Sequence, residues 1–265
     1  NAGQVTAIEN MVAAGARALL ITPSDAQAIV PALRKAWARG VLVLALDSAT
    51  DPLDAVDALF ATDNYRAGQL IGRYARVALA TRAPRIVMLD LFPGHPVGAQ
   101  RHNGFLDGIG FKAPAATSTQ LGSNPAVLCM ADTAGDQARA QTAMENCLQR
   151  ARDINVVYTI NEPAAAGAWS ALKRAGRDKG VLVVSVDGGC AGVADVNRGA
   201  IAATAQQYPL RMAELGVAAA AQFIRTGQRP KGYTDTGVSL VTRAPLAGIE
   251  SLDVAAGTRL CWGAR

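Results

Sequence analysis

The clearest hydrophobic pattern in the chain runs from Ile154 to Cys190: apolar Val156–Ile160, then Asn161-Glu162-Pro163, an alanine-rich stretch of helical period, Gly180, and a second apolar run, Val181–Val186, ending on Asp187-Gly188-Gly189. Two buried-type strands joined by one helix make a βαβ unit. Its crossover is right-handed, so both strands are parallel and their carboxyl ends point the same way. Asn161 and Asp187 are thereby expected side by side. Ligands of open α/β sheets bind outside those ends, but Asn and Asp also cap helices there. On this stretch alone the two roles stand level.

The same alternation fills the chain. Residues 3–14 have helical period, with Val5, Ile8, Met11 and Val12 on one face, ahead of a strand at Ala18–Thr22. Ser24 and Gln27 form a capping box for a helix whose apolar face is Ile29, Leu33 and Trp37. Val41–Leu46 is a continuous apolar strand ending at Asp47-Ser48, and Ala58–Ala61 a short one ending at Thr62-Asp63-Asn64. A long helix to about Ala80 turns Leu70, Ile71, Tyr74 and Val77 inward. Further strands are expected at Arg85–Leu91, Val127–Met130, Ala200–Ala205 and Val238–Val241. Helices are expected through Gln100–Phe105, up to Cys147, near Ala191–Asn197 and over Tyr208–Arg225, and Trp169 falls on a core stripe with Ala165, Ala168 and Leu172. Repeated βα units with continuous apolar strands predict parallel sheets covered on both faces.

Composition narrows this picture. The 265 residues suffice for two modest domains, and no apolar run approaches the roughly 20 residues that span a bilayer. The net charge of +5 comes from scattered arginines without an aromatic platform, so it is assigned to solvated surface and no nucleic acid is expected. The four cysteines lack C-x-x-C spacing and stand apart from His95 and His102, which argues against a metal site; free buried thiols are the default. Each histidine reads as isolated, with no nucleophile at motif spacing, and Gly188-Gly189 lacks a dinucleotide fingerprint. No catalytic residue and no cofactor is expected.

What distinguishes the chain is the polar set at its strand exits: Asp47, Asn64, Arg101, Asn161, Asp187 and Gln207. A carboxylate accepts from two adjacent hydroxyls, an arginine donates to ring and hydroxyl oxygens, and amides do both, so such a set suits a small polyhydroxylated molecule. The shared exit pattern favours ligand roles for Asn161 and Asp187. Phe92, at another strand exit, suits stacking on a sugar face and simple packing equally well.

Motifs spread over nearly the whole chain resemble one family. They are ALLITPSDAQAI (18–29), VLALD (43–47), ATDN (61–64), AQRHNGF (99–105), AMENCL (143–148), INVVYTINEPAAAGA (154–168), VSVDGGC (184–190), ATAQQYP (203–209), DTGVSLVT (235–242) and LCWG (260–263). Together they resemble a periplasmic sugar-binding protein of the ribose-binding type, the receptor of a bacterial ABC importer, nearest its fructose-binding branch. The resemblance implies a type I periplasmic binding fold: two Rossmann-like parallel-sheet lobes joined by a three-segment hinge. It places one lobe at 1–62 and 208–236 and the other at 63–207 and 237–265. It implies a monomeric, non-enzymatic receptor in the periplasm that closes on a monosaccharide or polyol and hands it to the membrane subunits of an ABC permease.

Sugar contacts carry over by resemblance to Asp47, Arg101, Asn161, Asp187 and Gln207, with Asn64 near a crossing. Cys190 and Cys261, both in family-like motifs, are expected to pair. Three departures stand out. Ser48 replaces an arginine of ribose binders, and Thr133-Ala134 lacks an expected aromatic residue. The family also begins with a strand, helix and strand, about 40 residues, that supply aromatic walls and are not seen before Asn1. A fragment of a longer mature chain, with one face of its first lobe uncovered, is the expectation. The alternative is the sensing core of a LacI-type transcriptional regulator, which shares the two-lobed fold behind a DNA-binding segment.

Overall fold

The structure, a computed structural model, describes residues 2–263. In chain order its elements are α1 (Ala2–Ala13), β1 (Ala18–Ile21), α2 (Val30–Ala38), β2 (Leu42–Leu46), β3 (Ala58–Ala61), α3 (Asn64–Leu79), β4 (Ile86–Asp90), α4 (Pro96–Ile109), β5 (Val127–Asp132) and α5 (Gln137–Arg150). They continue with β6 (Val156–Thr159), α6 (Glu162–Arg174), β7 (Leu182–Asp187), α7 (Cys190–Arg198), β8 (Ala203–Gln207), α8 (Pro209–Thr226), β9 (Gly232–Asp235), β10 (Val238–Thr242) and α9 (Val254–Leu260). They form two compact units, one of residues up to Asp63 with Tyr208–Gly237, the other of Asn64–Gln207 with residues from Val238.

The first unit holds a parallel four-stranded sheet of order β1-β2-β3-β9. Alternation along β2 divides its core. Val43 and Ala45 join Ile29 and Leu33 on one face, while Leu42 and Leu44 pack with Phe60, Met212 and Phe223 of α8 on the other. The second unit holds a six-stranded sheet of order β10-β8-β7-β6-β4-β5. Ile86, Met88 and Tyr158 face α3 and α4, and Val87, Leu89 and Val157 face α5 and α6. Both sheets are therefore covered on both faces. Among the described residues, the one exception to parallel strand pairing is β10, which runs antiparallel to β8.

Several local expectations are corrected. The helix assigned to start at Ser24 begins only at Val30, with Pro31 in its first turn. Proline lacks the N–H needed to continue an earlier helix and would clash with the preceding turn. Ser24 instead donates from Oγ to Gln4 Oε1 at 2.8 Å, and Asp25 Oδ1 closes a turn by accepting from Gln27 and Ala28 N–H. Trp37, Met11 and Val77 point to solvent, and Trp169 is half-buried, with Lys173 Nζ 5.7 Å from its ring centre. Strand β9, exposed at all four residues, and the short α9 were not foreseen, because neither carries an apolar period.

The cysteines are also corrected: among the described residues none is free. Cys190 pairs with Cys261, as the resemblance implied, and Cys129 pairs with Cys147, bridging β5 to α5. The chain separations are 71 and 18 residues. By loop-closure entropy these contribute on the order of 4 and 3 kcal/mol.

Helices α3 and α4 cross unusually closely because each presents two glycines one turn apart, Gly68 and Gly72 against Gly104 and Gly108. A Cβ on Gly104 would collide with the carbonyl oxygen of Tyr65, and one on Gly68 with that of Arg101. This contact sets Arg101 of α4 beside Asn64 of α3. Gly104→Ala is expected to cost roughly 1–3 kcal/mol or more, because backbone lies on both sides; an unchanged denaturation midpoint would contradict the close crossing. Thiol titration of the denatured, unreduced protein is expected to find no free thiol, and reduction to lower the thermal midpoint.

Candidate functional site

The polar strand exits of the second unit converge on one guanidinium. Arg101 is 5% exposed and lies on α4 behind the ends of β6 and β7. Its Nε donates to Asn64 Oδ1 at 2.8 Å, and its Nη1 donates to the carbonyl of Ile160 at 2.9 Å and to Asp187 Oδ1 at 3.0 Å. Gln207, at the end of β8, donates from Nε2 to the same Asp187 oxygen at 3.0 Å. Four of the expected residues, Asn64, Arg101, Asp187 and Gln207, thus form one hydrogen-bonded group. Burying the guanidinium is tolerable because a carboxylate and two oxygen acceptors meet it. Gln207 Oε1 is buried and has no hydrogen-bond partner among the described residues, so an incoming donor would be favoured there.

The remaining expected residues are placed differently. Asn161 caps α6: its Oδ1 accepts from Ala164 N–H at 3.1 Å, while its Nδ2 donates to the carbonyl of Gly135. The capping role raised from the sequence is therefore filled, next to the Ile160 carbonyl that receives Arg101. Phe92 is 40% exposed and meets His95 edge-on, ring centres 5.1 Å apart. Asp47 belongs to the first unit. It holds a left-handed backbone (φ 66°) just after β2, and its Oδ1 is buried without a partner among the described residues.

The turn carrying Asp187 is strained and heavily tied. Asp187 has φ 128° and Gly188 φ 67°, the former a region that side chains other than glycine rarely occupy. Gln206 Nε2 donates to the carbonyl of Gly188, Trp262 Nε1 to that of Asp187, and Cys190 N–H to that of Trp262. With the Cys190–Cys261 bond, the LCWG segment is thus fastened to the turn.

Two buried groups were missed from the sequence. Glu162, the first residue of α6, is 8% exposed; burial pushes its carboxyl up to about 8, the neighbouring Asp187 adds to the rise, and hydrogen bonds from Thr204, Gly188 and Gly189 oppose it. Nothing in the pattern separated it from an ordinary first-turn glutamate. His102, read as isolated, is fully buried and paired: Nδ1 lies 2.9 Å from Asp90 Oδ1 and Nε2 2.9 Å from the carbonyl oxygen of Gly122. The partners come from β4 and a distant loop, so no spacing rule finds them. Burial works against a charge on His102, but Asp90 and the Gly122 carbonyl outweigh it and raise the imidazole above its ordinary value.

A family model described as periplasmic binding protein domain matches residues 1–229. The chain belongs to that family. The ribose import binding protein of Bacillus subtilis is 30% identical over 217 residues, covering 82% of this chain and 66% of that protein. The D-ribose/D-allose-binding protein of Pseudomonas aeruginosa is 27% identical, covering 90% and 74%. The chain thus spans about two thirds to three quarters of these relatives' length. Among solved structures, an ABC transporter solute-binding protein from Agrobacterium vitis with bound D-fucose superposes with TM-score 0.79 at 27% identity, covering 98% of this chain and 84% of that one. A periplasmic component of a sugar transport system from Hahella chejuensis gives 0.76 at 29% identity, covering 90% and 83%. These relatives and neighbours are solute-binding proteins by name, and the parallel-sheet units of this chain have their type I periplasmic binding fold.

The two buried groups predict how stability varies with pH. Glu162 and His102 both hold a proton more tightly in the folded state than their ordinary values of 4.5 and 6.5 allow. Each contribution is complete below the ordinary value and is lost as pH rises through the folded one. The thermal midpoint is therefore expected to fall from about pH 5 to about pH 9; a midpoint that rises over that window would contradict both assignments.

Proposed function

We propose that the protein is the solute-binding receptor of a bacterial ABC sugar importer, acting in the periplasm without chemistry. The observation that carries this reading is the Asn64–Arg101–Asp187–Gln207 group at the strand ends of one unit. An ionised acceptor and a fixed guanidinium side by side match adjacent sugar hydroxyls, which both donate and accept. The names of the relatives support the same ligand class: ribose, allose and fucose are all monosaccharides. Fructose, ribose or a similar hexose, pentose or polyol is the proposed ligand.

In this reading Asp47 from the lobe 1–62 and 208–236 joins Arg101, Asn161, Asp187, Gln207, Asn64 and Phe92 from the lobe 63–207 and 237–265. A sugar touching both lobes at once shifts the population toward a closed form, which a permease then recognises. No nucleic acid and no second copy of the chain takes part.

The test is a thermal-shift screen of pentoses, hexoses and polyols, followed by calorimetry on the best ligand. At a ligand concentration of 100 times Kd the protein should gain about 2.7 kcal/mol. Asp187→Ala should still fold, at lowered stability, and lose at least tenfold in affinity, since a hydrogen bond to a charged acceptor contributes about 1.5–3 kcal/mol. Unchanged affinity in that variant would overturn the site assignment.

A further inference from the structure

Glu162 is not one of the four hydrogen-bonded residues of the proposed sugar group, yet both of its carboxyl oxygens are held by neighbouring donors. Its Oε1 accepts from Gly188 N–H at 2.8 Å and from Thr204 Oγ1 at 2.8 Å, and its Oε2 accepts from Gly189 N–H at 3.0 Å. One carboxylate, anchored at the start of α6, therefore ties the exit of β7 to the body of β8. Those are the two strands that end in Asp187 and Gln207.

The socket is shaped for this side chain. Thr204 is fully buried, and a Cβ on Gly192 of α7 would overlap the Glu162 carboxyl group itself. A Cβ on Gly188 would overlap Gln206, so the turn has no room to shift toward β8. The strain at Asp187 makes such a clamp necessary. A non-glycine residue at φ 128° persists only where its surroundings over-determine it, at a cost on the order of 1–3 kcal/mol. Two consecutive N–H groups accepted by one buried carboxylate supply that constraint directly after the strained residue, and they are charge-assisted when the carboxylate is ionised.

We infer that Glu162 is the positioning residue of the site: by gripping the Gly188 and Gly189 amides it holds Asp187 at the angle that meets Arg101 and Gln207. It touches no ligand and acts through the turn. The inference rests on the sugar reading for its consequence, while the clamp itself does not. The charged group that bears on Glu162 is Asp187, across the same turn; Gly188, Gly189 and Thr204 are its neutral partners.

The test compares wild type with Glu162→Gln, which keeps the side-chain volume, and Glu162→Ala. In wild type the Gly188 and Gly189 amide protons, followed by NMR, should move downfield together as pH rises through about 8, as the acceptor becomes charged. In Glu162→Gln that titration should vanish, and hydrogen exchange of both amides should quicken at least tenfold, more in Glu162→Ala where that variant folds. Calorimetry with D-ribose, D-allose, D-fucose and D-fructose should show affinity for the best of them weakened at least tenfold in Glu162→Gln. Amides that still titrate in Glu162→Gln overturn the clamp, and loosened amides with unchanged affinity overturn its role in the site. A wild type that binds none of the four sugars sinks the sugar reading instead, and the amide titration and exchange then decide the clamp alone.

Discussion

A buried guanidinium sets the terms for the second unit. Arg101 is 5% exposed and its partner Asp187 carries a half-buried carboxylate; taken out of water, neither charge is tolerable alone, and removing one partner of such a pair costs roughly 3–5 kcal/mol. The fold must therefore deliver the end of β7, the Ile160 carbonyl and Asn64 to the same place on α4. It does so by bringing α3 and α4 to backbone contact through four glycines. The helix crossing is thus a requirement of the ion pair. The α3–α4 contact and the strand order β8-β7-β6 converge on the same few atoms.

Arg101 and Asp187 are paired with each other in this state, and Gln207 adds a second hydrogen bond to the same Asp187 oxygen. Such a group is preorganised: a polar solute that exchanges hydroxyls for these contacts meets donors and acceptors already held in place, so less ordering free energy is lost on binding. The stiffness comes from behind, where Glu162, Gln206 and Trp262 hold the turn after β7 and a disulfide fastens the last segment to α7.

Much of the layout was legible in the sequence, for identifiable reasons. Continuous apolar strands such as Val41–Leu46 and Val181–Val186 announce parallel sheets buried on both faces, and the polar residue following each marks its carboxyl end. At Asn161 the shared exit pattern favours a ligand role over capping, and the structure shows its capping bond in place. Local periodicity failed where tertiary chemistry decides. Pro31 outweighed the capping signal at Ser24, and β9 exists only because β3 pairs with it. Partners distant in the chain, as in His102 with Asp90 and Gly122, Glu162 with Gly188 and Thr204, and Cys129 with Cys147, leave no local trace.

The most direct measurement of the central claim is a crystal structure of the protein with its tightest sugar. The account predicts sugar hydroxyl oxygens within hydrogen-bonding distance of both the Asp187 carboxylate and the Arg101 guanidinium, with the turn after β7 unmoved. A sugar bound elsewhere on the molecule, with the Arg101–Asp187 pair untouched by it, would contradict it.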